Sequence, residues 1–320
     1  MELIHCGRII KGVGGLYQVK MLDNIPLPEG QDAQAPIPCR AKGAFRHENI
    51  TPLVGDIVSL EFEQAEAGAR DAIALISDIA PRKNALIRPP LANLDIMFVS
   101  FAAAKPAPVL ETVDKLICIL EHHNITPVVV ITKQDANPAY AKELYEIYRK
   151  AGFDTFMTSS KDSFGIDEIK AYIKDNCEGR ISAFAGASGV GKSTLLNALF
   201  PSLELSTGEI SRKIERGKHT TRTVELFRMP ETESGYIADT PGFSMLDFAR
   251  FDFFSKEDLP LTMREFAPYL GKCRFTKCSH TKEQGCAILE AVKAGIIPPS
   301  RHASFVAIYD VLKNKHDWDT

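Results

Sequence analysis

Apolar positions change rhythm twice along the chain. Up to about residue 80 they form short β-like runs divided by turns, at residues 2–10, 12–15, 16–22, 37–45, 56–63 and 71–79. Residues 56–63 alternate apolar with polar, as expected of a strand with one buried face. About five short strands in this span fit a small barrel of the oligonucleotide-binding type. The pattern reads equally as a nucleic-acid barrel or as a structural β-domain. Residues 81–90, Pro81-Arg82-Lys83-Asn84-Ala85-Leu86-Ile87-Arg88-Pro89-Pro90, are basic and punctuated by proline. They are expected to break both helix and sheet and to mark a boundary.

Beyond the boundary, strands and helices alternate. Strands are expected at 96–101, 127–131, 154–157, 180–185, 224–228 and 236–238, and helices at 110–122, 139–151, 166–176 and from Ser193. The strands are almost continuously apolar, which marks a mostly parallel sheet covered on both faces. Ligands bind such sheets at the carboxyl ends of the strands. From Met245 onward the pattern turns helical and irregular. The expected division is a barrel at 1–80, a linker at 81–94, an α/β nucleotide domain at 95–244 and a C-terminal domain at 245–320.

Composition narrows the class. The 320 residues are 45% hydrophobic and 25% charged, the proportions of soluble multidomain proteins. A net charge of −3 gives no global basic field, so a nucleic-acid partner must be met by local patches. The N-terminal residues do not read as a signal peptide, and no apolar run reaches membrane-spanning length, so a cytoplasmic protein without a membrane partner is expected. Monomer is the default expectation.

The chemistry centres on Gly186-Ala187-Ser188-Gly189-Val190-Gly191-Lys192-Ser193, followed by Thr194. It matches G-x-x-x-x-G-K-[ST], in which glycines turn backbone N–H groups toward a phosphate and the next helix adds its positive end. An expected strand precedes it and a helix follows, as the motif requires. Other segments lie at strand ends. Thr132-Lys133-Gln134-Asp135 places a carboxylate able to accept from N1–H and the 2-amino group of guanine, which adenine cannot offer. Ser159, Ser160 and Lys161 can present donors to the guanine carbonyl. Gly217-Lys218-His219-Thr220-Thr221-Arg222 can supply a hydroxyl to Mg²⁺. Asp239-Thr240-Pro241-Gly242 can supply a carboxylate to the Mg²⁺ shell and a backbone N–H to the γ-phosphate. The guanine-reading segments precede the phosphate loop, the reverse of the usual GTPase order, so the domain is circularly permuted.

Cysteines divide into scattered and crowded sets. Cys6, Cys39, Cys118 and Cys177 lie in apolar or strand-like contexts and read as buried hydrophobes. Cys273, Cys278, His280 and Cys286 form a closed set suited to one structural Zn²⁺, without an open position for catalysis. Arg274, Lys277 and Lys282 lie between these ligands and read either as an RNA-phosphate contact or as a solvated surface.

The barrel, connector, permuted motifs and cysteine cluster together resemble the small ribosomal subunit-dependent GTPase A family over nearly the whole chain. The resemblance implies an N-terminal barrel like the oligonucleotide-binding fold, a permuted P-loop GTPase domain and a C-terminal helical zinc-binding domain. It further implies a GTP hydrolase, slow alone, stimulated by the small ribosomal subunit and its rRNA, and active in late maturation of that subunit. The alternative is a GTP-gated module acting on another RNA, with hydrolysis of minor importance. In this frame Lys192 bridges the β- and γ-phosphates, Ser193 and a switch hydroxyl from Thr221 or Thr220 ligate Mg²⁺, and Asp239 completes the shell. Phe243 follows Gly242, where many GTPases carry the glutamine that orients the attacking water. His219 is the expected replacement, since an imidazole can order a water near neutral pH; facing solvent or RNA phosphate is the other reading. Thr132 stands where the family has asparagine. It keeps a hydroxyl but lacks the amide that ties this loop to the base and the phosphate loop, so weaker guanine binding is expected.

Overall fold

The computed structural model describes residues 7–22, 35–47, 50–62, 74–87, 90–159, 161–203, 224–239 and 255–314. They group into two compact units. The first draws on residues within 1–94, 177–183 and 204–241, and the second on residues within 95–176, 184–203 and 242–320.

In the first unit, β1 (Gly7–Val13), β2 (Leu16–Met21), β3 (Ile37–Ala41), β4 (Ile57–Glu61) and β5 (Ala74–Ile79) form the expected barrel, with a short helix α1 (Ala44–His47) after β3. The strands run in the order β1-β2-β3-β5-β4, and β4 pairs back onto β1. Only the β3–β5 pairing is parallel within this ring. The return pairing of β4 onto the start of β1 closes the ring there. Ile9, Val19, Cys39, Val58 and Ile76 fill the interior, the isoleucines and valines each contributing roughly 1.5–3 kcal/mol of burial. Outside the ring, β12 (Glu225–Arg228) pairs antiparallel with β1 through Lys11 and Glu225, whose side chains are ion-paired at 2.7 Å. Its other side carries β13 (Tyr236–Asp239).

The connector does not break the sheet pattern as expected. Residues 85–92 form a hairpin, with β6 (Ala85–Ile87) paired to β7 (Pro90–Ala92). Proline is tolerated because Pro90 opens a short edge strand. Two asparagines hold the hairpin: Asn84 Nδ2 donates to Leu94 O at 2.8 Å, and Asn93 Nδ2 donates to Gly55 O at 3.1 Å. Arg82 forks onto buried Asp56 at 2.7 and 2.8 Å. These partners lie far along the chain, so no local pattern announces them.

The second unit is built on parallel strands in the order β10 (Thr155–Met157), β9 (Thr126–Thr132), β8 (Ile96–Ala102), then the end of β11 (Ile181–Gly186). Every residue of β8 is buried, as its nearly continuous apolar run predicts, Ser100 included. Helices α2 (Leu110–His122), α3 (Pro138–Lys150), α4 (Ile166–Asn176) and α5 (Lys192–Leu199) cover the sheet. Val113, Leu116, Ile117 and Leu120 of α2 are buried at helical spacing. Proline at the start of α3 costs no hydrogen bond, and Asn137 accepts from Tyr140 N–H as its cap.

The same unit includes the C-terminal segment. Two 3₁₀ turns, Leu259–Thr262 and Arg264–Tyr269, precede α6 (Ala287–Lys293) and α7 (Pro299–Lys313). Leu259, Met263, Phe266, Ile288 and Phe305 pack into one cluster with Cys118 of α2. Beside it lies Arg301, fully buried, its guanidinium 2.6 Å from Asp114 and 2.7 Å from Glu265. Tyr148 of α3 donates to the same Asp114 oxygen at 3.0 Å.

Candidate nucleotide and metal sites

The phosphate motif adopts the arrangement its glycines permit. β11 ends at Gly186 and α5 begins at Lys192, with Gly191 as its N-cap in the left-handed region at φ 97°. A side chain at Gly186 would place its Cβ 2.4 Å from Ser100 Oγ and 2.7 Å from Ser100 O. Only glycine fits there. Ser188, Gly189 and Thr194 are exposed, Ala187, Gly191, Lys192 and Ser193 are partly exposed, and Val190 is buried. The first-turn N–H groups of α5 have no carbonyl one turn earlier in the helix, and the helix dipole adds positive potential there. An exposed loop of this form suits a nucleotide polyphosphate.

The segment expected to read the base is strapped to that loop. Thr132 closes β9, and its hydroxyl donates to Val190 O at 2.5 Å, with Phe101 O at 3.2 Å. Lys133, in the left-handed region at φ 55°, donates through Nζ to Gly189 O at 2.6 Å and to Lys105 O at 2.8 Å. Threonine was expected to forfeit the tie to the phosphate loop. The tie is present, because the hydroxyl is close enough to reach Val190 without the longer amide.

Asp135 sits in the 3₁₀ turn Gln134–Ala136, with Lys161 Nζ 2.8 Å from its carboxylate. The hydrogen bond from Lys161 holds the Asp135 carboxyl below the usual range, and Asp135 raises Lys161 in turn. Backbone bonds align the two loops: Thr158 N–H donates to Ile131 O at 2.8 Å and Gln134 N–H to Thr158 O at 3.1 Å. Ser159 is buried, and its hydroxyl accepts from Lys161 N–H at 3.2 Å. The structure thus brings together Thr132, Lys133, Asp135, Ser159, Lys161 and the phosphate loop. Ser160, His219, Thr220, Thr221 and Gly242 lie outside the described residues, and Asp239 is described by its backbone alone, at the end of β13. Lys105 was not anticipated; its contribution is a backbone carbonyl, which carries no sequence signature.

Cys273, Cys278, His280 and Cys286 converge, with all four ligand atoms within 4.8 Å of one another. Cys273 Sγ lies 3.8 Å from Cys286 Sγ, and His280 Nδ1 lies 3.4 and 3.5 Å from those two sulfurs. Tetrahedral zinc, with bonds of about 2.3 Å to sulfur and about 2.0 Å to nitrogen, requires separations of about 3.8 and 3.5 Å. The donor set and its spacing fit zinc. Glu283 shapes the loop by accepting from the N–H groups of Ser279, Thr281 and Lys282 at 2.8, 3.1 and 3.1 Å, and from the Ser279 hydroxyl. His302 Nε2 lies 2.8 Å from His280 O, tying the ligand loop to α7. Arg274, Lys277 and Lys282 are exposed, with Arg274 5.6 Å from the Phe275 ring. Among the described residues no helix is long and apolar enough to cross a membrane.

Comparison with known proteins agrees with this construction. The family model described as RsgA GTPase matches residues 79–249, and that of the RsgA N-terminal domain matches residues 6–69. A protein of Caldanaerobacter subterraneus subsp. tengcongensis named small ribosomal subunit biogenesis GTPase RsgA is 41% identical over 316 residues, 98% of each chain. A protein of the same name from Bacillus subtilis is 37% identical, covering 97% of this chain and 98% of its own. Among solved structures, YjeQ from Thermotoga maritima matches with a TM-score of 0.77 at 29% identity, covering 98% of this chain and 99% of its own. YloQ, described as a circularly permuted GTPase, matches with a TM-score of 0.72 at 32% identity and 98% coverage of both. With the barrel, the permuted order of its motifs and the strapped phosphate loop in place, the chain belongs to the RsgA GTPase family.

Proposed function

We propose that this protein is a GTP hydrolase that the small ribosomal subunit stimulates and that acts in the maturation of that subunit. The observation that carries the reading is the strap from Thr132 and Lys133 to the phosphate loop, which unites a guanine-reading segment with a polyphosphate cradle in permuted order. The relatives' name supplies the subunit.

In this reading Asp135 accepts from the Watson–Crick edge of guanine, and Ser159, Ser160 and Lys161 line the base site. The loop from Gly186 to Gly191, with Thr194, holds the phosphates, and Lys192 meets the β- and γ-oxygens. Ser193, Thr221 and Asp239 would hold Mg²⁺, which when bound would neutralise charge on the substrate's phosphates. Gly242 offers its N–H to the γ-phosphate. His219 orders the attacking water for in-line displacement, replacing the glutamine absent at Phe243. One Zn²⁺ on Cys273, Cys278, His280 and Cys286 is structural, and the exposed Arg274, Lys277 and Lys282 face rRNA. A monomeric cytoplasmic protein is the corresponding setting.

GTP turnover measured with and without purified small subunits tests the proposal. Strong stimulation is expected, and His219→Ala should lose most of it while keeping nucleotide affinity. Nucleotide-dependent RNA binding without stimulation would overturn the hydrolase reading in favour of a GTP-gated binding module. Wild-type stimulated rates in His219→Ala would remove the histidine from the chemistry.

A further inference from the structure

Position 132 carries information about which guanine nucleotides the site accepts. Guanine offers two recognition edges: the Watson–Crick edge, with N1–H and the 2-amino group, and the Hoogsteen edge, whose ring nitrogen N7 is an acceptor. Reading N7 takes a donor. Thr132 has a single hydroxyl proton, and the 2.5 Å separation commits it to Val190 O. The side chain is also 4% exposed, turned toward the phosphate loop and the β8 backbone. An asparagine amide has two protons, so it can make this tie and still present one to a base. The neighbouring Lys133 ammonium spends two of its three protons on carbonyls, at 2.6 and 2.8 Å. Asp135 is an acceptor and suits only the Watson–Crick edge.

We infer that Thr132 is a positioning residue that straps the base loop to the phosphate loop without reading the base, and that the site reads guanine through its Watson–Crick edge with no contact from position 132 to N7. The ligand class therefore extends to 7-deazaguanine nucleotides, in which N7 is replaced by C–H. This rests on the guanine-site reading given above for Asp135.

The test is displacement of a ribose-labelled fluorescent GDP from the full, zinc-loaded chain by GTP, 7-deaza-GTP and ATP, with Mg²⁺ present. The wild type should bind GTP and 7-deaza-GTP within about twofold of each other. Thr132→Asn should acquire a preference for GTP over 7-deaza-GTP of about 3- to 10-fold, the net effect of one neutral hydrogen bond. Thr132→Val, which leaves Val190 O without its donor, should weaken both nucleotides equally, and Thr132→Ser should restore them. A wild-type preference of tenfold or more for GTP would overturn the inference, as would a Thr132→Val variant that binds like wild type. The ATP arm separates this outcome from the reading beneath it: if ATP competes as well as GTP, Asp135 is not reading guanine, whatever the 7-deaza ratio.

Discussion

Arg301→Met tests how the C-terminal segment is held to α2 and α3. The guanidinium is fully buried between Asp114 at 2.6 Å and Glu265 at 2.7 and 3.3 Å, with the rings of Phe153 and Tyr148 5.3 and 5.9 Å from its central carbon. Methionine occupies a similar stem volume, so lost packing adds little. The cost comes from the two acids left without their cation. Breaking one buried pair in this way costs about 3–5 kcal/mol. For a unit of this size that lowers the melting temperature by about 6–20 °C. Urea unfolding followed by far-UV circular dichroism reads the loss directly. Adding Asp114→Asn and Glu265→Gln to the same variant removes the stranded charges and should return about 2 kcal/mol or more. Because His302, the next residue of α7, meets His280 O, Arg301→Met should also release zinc to a chromophoric chelator faster than wild type. A single variant within about 1 kcal/mol of wild type would refute the reasoning, since surface pairs reach that value. So would a triple variant no more stable than the single.

Two further outcomes follow from the sites. Gly186→Ala forces a Cβ to 2.4 Å from Ser100 Oγ, a hydroxyl already donating to Ala185 O at 2.8 Å, so the loop must shift. Affinity for labelled GDP should fall at least about tenfold and stability by about 1–3 kcal/mol, and wild-type affinity would show that the close approach is unimportant. Cys286→Ser removes a ligand that also lies in the C-terminal core, so zinc measured by atomic absorption should fall from one per chain toward zero and the melting temperature should drop. A full complement of zinc in that variant would remove Cys286 from the metal set.

Element boundaries were largely legible where the signal is local. The helices at Leu110–His122 and Ile166–Asn176 match their expected bounds, because a buried stripe repeats every turn. The connector departs from its expected break because proline interrupts a sheet only where it would cost a ladder bond, and Pro90 sits where it does not. The tie to the phosphate loop expected to be lost at Thr132 is made by its hydroxyl, since a composition of side-chain atoms does not say how far away their partner lies.

By itself the sequence determined the strand-loop-helix of the phosphate motif, the permuted order of the motifs and the crowding of three cysteines with a histidine, all of which are patterns of residue type along the chain. Tertiary structure alone decided the Thr132 strap across 58 residues, the Arg82 fork onto Asp56 and the burial of Arg301 against Asp114 across 187. A charge or hydroxyl looks the same in sequence whether solvated or buried. Only folding removes the water and shows which partner has replaced it.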